Sequence, residues 1–114
     1  MITRDGREEL KNYIKDNYTT AKIGTGGDST NPNASDLDSP LDPTLTSISA
    51  VNSGETSVDF KFTILGSAYT GDTIKEVGIF HKTTSELLVR VNYDGIGPLT
   101  STDEVEFIIT VEVD

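Results

Sequence analysis

Alternation between apolar and polar residues constrains this chain more than any other feature. Val58, Phe60, Phe62 and Ile64 are separated by Asp59, Lys61 and Thr63, and Val105, Phe107, Ile109, Val111 and Val113 repeat the same spacing near the C-terminus. Successive side chains of an extended chain point to opposite sides, so such segments bury one face and wet the other. Ile74–Phe80 and the set Leu87, Val89, Val91 and Tyr93 read as two more strands, joined by a hairpin loop at Thr83-Thr84-Ser85. Residues 44–51 read as another, with Leu45 and Ile48 out of strict alternation and so a candidate bulge. Thr19–Gly24 has brief strand character before a Gly-rich stop. Strands at this short spacing predict a mostly β, α+β fold: an antiparallel β-sandwich of about five to six strands.

Residues 3–17 predict one N-terminal helix. Thr3 suits its N-cap, Asp5, Glu8 and Glu9 lie near the positive end, and Lys11 and Lys15 lie toward the negative end. Leu10 and Ile14, with Tyr13 beside them, form a narrow apolar stripe able to dock on a sheet. Gly6 costs about 1 kcal/mol relative to Ala in such a helix, which points to a close approach there. Between the helix and the sheet strands, residues 25–43 form a long Gly/Ser/Asp/Pro loop whose only large apolar residues, Leu37 and Leu41, are candidates to pin it to the body. Loops of that length are uncommon inside compact domains. With 114 residues the chain is expected to be a single domain: helix 3–17, loop 25–43 and sandwich 44–113.

Charge excludes several functions. The chain has 19 Asp and Glu against 9 Lys and Arg, a net charge of −10. Such a surface repels phosphate backbones and anionic lipid, so neither nucleic acid nor membrane is an expected partner. It also fits a salt-adapted, halophilic protein, whose self-repulsion is screened by ions. No Cys is present, which removes disulfides, thiolate metal sites and thiol catalysis. The N-terminus carries charges without an apolar run behind them and no stretch is long enough to span a membrane, so the expectation is a soluble chain made in the cytoplasm.

Chemistry-bearing motifs are sparse. Gly24-Thr25-Gly26-Gly27 lacks the Lys-Ser/Thr pair of a phosphate loop and no helix pattern follows it, so it reads as a turn. Asp28, Asp36, Asp38 and Asp42 make an acidic loop with oxygen ligands suited to Ca²⁺, but without the EF-hand ladder. His81 is the single histidine, just past a strand, with no nucleophile or orienting carboxylate beside it. Glu104, Glu106 and Glu112 share the polar side of the last strand. Tyr69 is the one candidate platform for a sugar, in a chain without Trp. No convergent polar constellation emerges, and the expectation is a protein that is not an enzyme, with no catalytic residue, metal or cofactor.

The order of the segments resembles the N-terminal attachment domains of tail-collar fibre and baseplate-associated proteins of tailed viruses. Ile2-Thr3-Arg4-Asp5-Gly6 looks like their helix start. Ile23-Gly24-Thr25-Gly26-Gly27, continuing through Pro32 to Ser35-Asp36-Leu37-Asp38-Ser39-Pro40-Leu41, looks like their strand, turn and loop. Ile74-Lys75-Glu76-Val77-Gly78-Ile79-Phe80 followed by Leu87-Leu88-Val89-Arg90 is the most specific match, and Ser101–Val111 looks like the final strand. The resemblance implies a structural virion protein, assembled in the host cytoplasm, that works through contacts with copies of itself and neighbouring virion proteins. It implies a homo-oligomer, a trimer, pentamer or hexamer. Fibre proteins continue into a shaft and a receptor-binding tip, whereas this sequence stops at Asp114, which favours an adaptor or tail component. A capsid decoration or turret protein, or a small carbohydrate- or surface-binding module, is the alternative. Candidate interface residues are Leu10, Tyr13, Ile14, Leu37, Leu41, Glu76, Gly78, Phe80 and Arg90. Within the motif, Val77 and Ile79 are expected on one face and Glu76, Gly78 and Phe80 on the other, with a cross-strand Glu76–Arg90 ion pair available.

Overall fold

The computed structural model describes residues 1–27, 31–46 and 48–114. Among them the elements run α1 (Arg4–Asn17), β1 (Thr20–Gly24), β2 (Ser49–Asn52), β3 (Ser57–Leu65), a single 3₁₀ turn at Gly66–Ala68, β4 (Ile74–Phe80), β5 (Leu87–Ile96) and β6 (Glu104–Glu112). They form two three-stranded antiparallel sheets, ordered β1-β4-β5 and β2-β3-β6. Ile23, Val77 and Ile79 from the first sheet meet Phe60, Phe62, Ile64, Phe107 and Ile109 from the second in one apolar core. The chain is therefore a six-stranded α+β sandwich with one helix. No helix among the described residues is long and apolar enough to cross a membrane.

The period of two does the sorting. In β3, Val58, Phe60, Phe62 and Ile64 are buried while Lys61, Thr63 and Leu65 are exposed. β3 pairs with β6 over nine positions, Phe60 opposite Ile109 and Phe62 opposite Phe107, and the last two rings stack with centroids 5.2 Å apart. Each such core aromatic contributes about 3–5 kcal/mol against truncation to Ala. Glu104, Glu106 and Glu112 sit on the wet face of β6, as an amphipathic strand requires.

Two elements depart from the sequence reading. The strand expected over 44–51 is β2 at Ser49–Asn52; Leu45 makes only an isolated bridge to Ala21, and Ser47 lies outside the described residues. The broken alternation at Leu45 and Ile48 marks the chain crossing from one sheet to the other, with Ile48 N–H donating to Thr19 O. The helix also turns differently from its apolar stripe. Thr3 Oγ1 accepts from Gly6 N–H at 3.1 Å, as a cap should. Ile14 packs on the core, but Leu10 is 46% and Tyr13 54% exposed. The face turned inward carries Lys11, whose Nζ donates to Asn52 Oδ1 at 3.0 Å.

Tyr69 is no sugar platform: it is 3% exposed and its hydroxyl donates to Pro43 O at 2.9 Å. Burial pushes the phenols of Tyr18, Tyr69 and Tyr93 above their ordinary 10.0, with Tyr13 and Glu86 adding at Tyr18 and Asp42 at Tyr69. The unfolded chain loses these protons near the ordinary value and the folded chain only higher, so their stabilisation is complete below it and is lost as pH rises through the folded values. Thermal melts followed from neutral to alkaline pH are expected to hold steady and then fall above about pH 10. Tyr69→Phe removes one of the three groups and should soften that fall, while the lost hydrogen bond costs about 1 kcal/mol at neutral pH.

Candidate functional site

The outer face of the first sheet is where the sequence motifs converge. Strand parity places Val77 and Ile79 in the core and sends Glu76, Gly78 and Phe80 the other way. Register aligns Lys22 and Arg90 on either side of Gly78, and Gly24 and Asn92 on either side of Glu76. An outer face of an edge-limited sheet normally meets water, yet Glu76 is 0% exposed and Phe80 only 1%. Gly26, Leu37, Asp38 and Ser39 lie against this face.

Glu76 holds that cover in place. Its Oε2 accepts from Gly26 N–H at 2.7 Å and Ser39 N–H at 2.8 Å, and its Oε1 accepts from Asp38 N–H at 2.8 Å. Three charge-assisted bonds offset the cost of taking a carboxylate out of water. They also tie both limbs of the loop to one atom group on β4. Thr25 N–H to Ser39 O at 3.0 Å and Leu41 N–H to Ile23 O at 2.8 Å continue the closure beside β1.

Glycine is required around this carboxylate by crowding. A Cβ on Gly24 would lie 2.5 Å from Glu76 Oε2 and 2.6 Å from Ser39 O. One on Gly26 would collide with Asp38 Cβ and lie 2.6 Å from Glu76 Oε2. Gly78 leaves room for Leu37 and the Phe80 ring, whose nearest atoms would be 3.0 Å and 2.8 Å from an added Cβ. Close approach at Gly78 is what the strand pattern implies, and the Gly24–Gly27 run serves as a turn around a protein carboxylate.

Ion pairs complete the face. Lys22 Nζ lies 3.2 Å from Asp36 Oδ1 and 4.6 Å from the Phe80 ring centroid. Arg90, with a side chain 6% exposed, sends Nη1 to Asp38 Oδ1 at 3.2 Å and to Asp36 O at 3.3 Å. The expected Glu76–Arg90 pair is therefore not formed: Arg90 sits opposite Gly78, Glu76 opposite Asn92, and each finds its partner in the loop. Asp36 and Asp38, read as possible Ca²⁺ ligands, face Lys22 and Arg90 instead; Asp28 lies outside the described residues. No group of three or more potential metal-ligating side chains gathers among the described residues.

Of the candidate interface residues, Glu76, Gly78, Phe80 and Leu37 are buried within the chain and Leu41 half-buried, so these serve the loop rather than a neighbour. Leu10 and Tyr13 remain open. His81 closes the hairpin: its Nδ1 accepts from Thr83 and Thr84 N–H at 3.1 and 3.2 Å, and Nε2 lies 3.3 Å from Tyr13 Oη. Pattern reading did not find the bond set of Glu76, because its donors are backbone groups that any sequence carries.

Glu76→Gln keeps the shape but turns an amide NH₂ toward N–H donors. It should destabilise the fold by about 3 kcal/mol and speed hydrogen exchange at Gly26, Asp38 and Ser39 more than in β3 or β6. Uniform acceleration throughout the sandwich would show that the loop has no local role for Glu76 to support. In comparison with known proteins, no family model and no curated protein matches this chain.

Proposed function

We propose that this chain is a structural virion protein of a tailed virus, a tail, baseplate or fibre-attachment component that acts by protein–protein assembly and not by catalysis. The observation that supports the reading most is the convergence of its three resembling segments. Ile23–Gly27, Asp36–Leu41 and Ile74–Phe80 with Leu87–Arg90 are scattered along the sequence, yet they pack as one unit around Glu76 and Arg90. A loop latched this firmly to a sheet presents a fixed surface, which suits a symmetric assembly component. The net charge of −10 fits a particle built in concentrated salt.

The test is twofold. Mass spectrometry of purified virus particles should find the chain in stoichiometric amount, and antibody–gold labelling should place it at the tail; label on the shell would favour the decoration alternative. Light-scattering mass after size exclusion, in ordinary buffer and again in molar KCl, should give a trimer or hexamer in at least one of them. A monomer in both, together with absence from particles, overturns the reading.

A further inference from the structure

Helix α1 packs one face on the sandwich and leaves another open, and its charges sort between the two. Arg4, Arg7, Lys11 and Lys15 follow one row at three- and four-residue spacing. That row lies toward the body: Lys11 is buried and bonded to Asn52, and Arg4 Nε lies 3.9 Å from Glu55 Oε2. Asp5, Glu9 and Asp16 form a second row at the same kind of spacing, and Gly6, Leu10 and Tyr13 form a third beside it. Asp5, Glu9, Leu10, Tyr13 and Asp16 are all exposed.

The third row is extended at its N-terminal end by Ile2, which is 51% exposed. Its Cγ2 would lie 3.3 Å from a Cβ on Gly6, so it rests over the gap that the glycine leaves. Four of the seven large apolar side chains exposed among the described residues fall between Met1 and Tyr13. The other three, Val51, Leu65 and Ile108, stand apart on three strands of the second sheet. Tyr13 is the fixed point of the row. Its Oη lies 3.3 Å from His81 Nε2, the Tyr18 ring meets it edge-on at 6.4 Å, and its carbonyl accepts from Asn17 Nδ2 at 2.8 Å. An exposed Tyr already held in place loses little entropy when a partner covers it, which suits it to anchor an interface.

Charge names the partner. Asp5 and Glu9 are four apart, a like-charge spacing that weakens a helix, and no Lys or Arg lies three or four positions from either. Neither joins an ion pair among the described residues. The helix dipole favours Asp5 in the first turn, but Glu9 lies beyond that turn. At the other end of the row, Lys82 Nζ donates to Asp16 O at 3.2 Å and supplies a cation there. The unmatched negative charge is therefore at Asp5 and Glu9. A chain of net charge −10 brings more carboxylates than cations to a contact, so a second copy is a poor complement.

We propose that the open face of α1, with Ile2, Leu10 and Tyr13 as its apolar ridge and Asp5 and Glu9 as its rim, docks a basic amphipathic helix of a neighbouring protein. Apolar side chains of that helix pack against the ridge, and Lys or Arg on its flank meets the two carboxylates. The inference rests on the assembly reading and names its contact surface.

Titration of the ¹⁵N-labelled chain with the peptide acetyl-Ala-Lys-Leu-Ala-Lys-Ala-Leu-Lys-Ala-Leu-Ala-Lys-Ala-Leu-Ala-amide tests it. One control peptide has the same composition with Leu and Lys spread evenly round the helix, and a second has Glu for each Lys. The amphipathic peptide should shift the amides of α1 and of His81 and bind about tenfold more tightly than the first control, and the Glu peptide should not bind. Leu10→Ser and Glu9→Lys change solvent-facing side chains, so the dispersed spectrum of the fold should persist while each weakens binding about tenfold. If one of them fails to fold, the other decides. A flat titration at millimolar peptide, equal binding of the first control, binding of the Glu peptide, shifts centred outside α1, or unweakened binding by a folded variant overturns the proposal. Shifts in α1 that follow protein concentration without peptide overturn it too, making the occupant a second copy. Binding at α1 by a chain absent from virus particles would leave the docking face standing and remove only the assembly reading. A chain present in particles with flat titrations would keep that reading and lose this face.

Discussion

One buried carboxylate organises the half of the molecule that carries its motifs. Glu76 lies on the outer face of a sheet, where a polar side chain ordinarily costs nothing, and it is fully buried because the loop closes over it. The three backbone N–H groups it receives, from Gly26, Asp38 and Ser39, belong to two limbs of the loop that lie apart in sequence. A long loop loses entropy when its ends are brought together, and charge-assisted bonds to one rigid strand offset that loss. Gly24, Gly26 and Gly78 follow from the same constraint, because a side chain at any of them would push the loop off the sheet.

Electrostatics on this face is local although the chain as a whole is strongly acidic. Lys22 and Arg90 are spent on Asp36 and Asp38 in a partly enclosed setting, where an ion pair is worth more than on an open surface. The loop thus carries its own carboxylates to the two cations of the sheet, while Asp5, Glu9, Glu55, Glu104 and Glu106 face solvent. That separation lets the surface be acidic without loosening the latch.

Much of the sandwich was legible from period alone. Val58 through Ile64 and Phe107 with Ile109 could only be half-buried strands, and Gly78 correctly marked a close approach. The pattern failed where burial came from elsewhere. Leu10 and Ile14, with Tyr13 beside them, read as an apolar stripe, but α1 turns Lys11 toward Asn52 and seats only Ile14 of the three on the core, leaving Leu10 and Tyr13 outside. Tyr69 looked like a loop residue open to ligand, and the hydroxyl bond to Pro43 O drew it inward.

Glu76 and Arg90 show the division most clearly. Sequence determined that both sit on neighbouring strands, with side chains on the face away from the core, because parity is a local property of an extended chain. Only the tertiary structure decided what they bind. The hairpin register set Arg90 opposite Gly78 and Glu76 opposite Asn92, and the loop then offered Asp38 to one and three amide groups to the other. Register and loop closure depend on contacts between residues far apart in sequence, and backbone donors leave no mark in residue type.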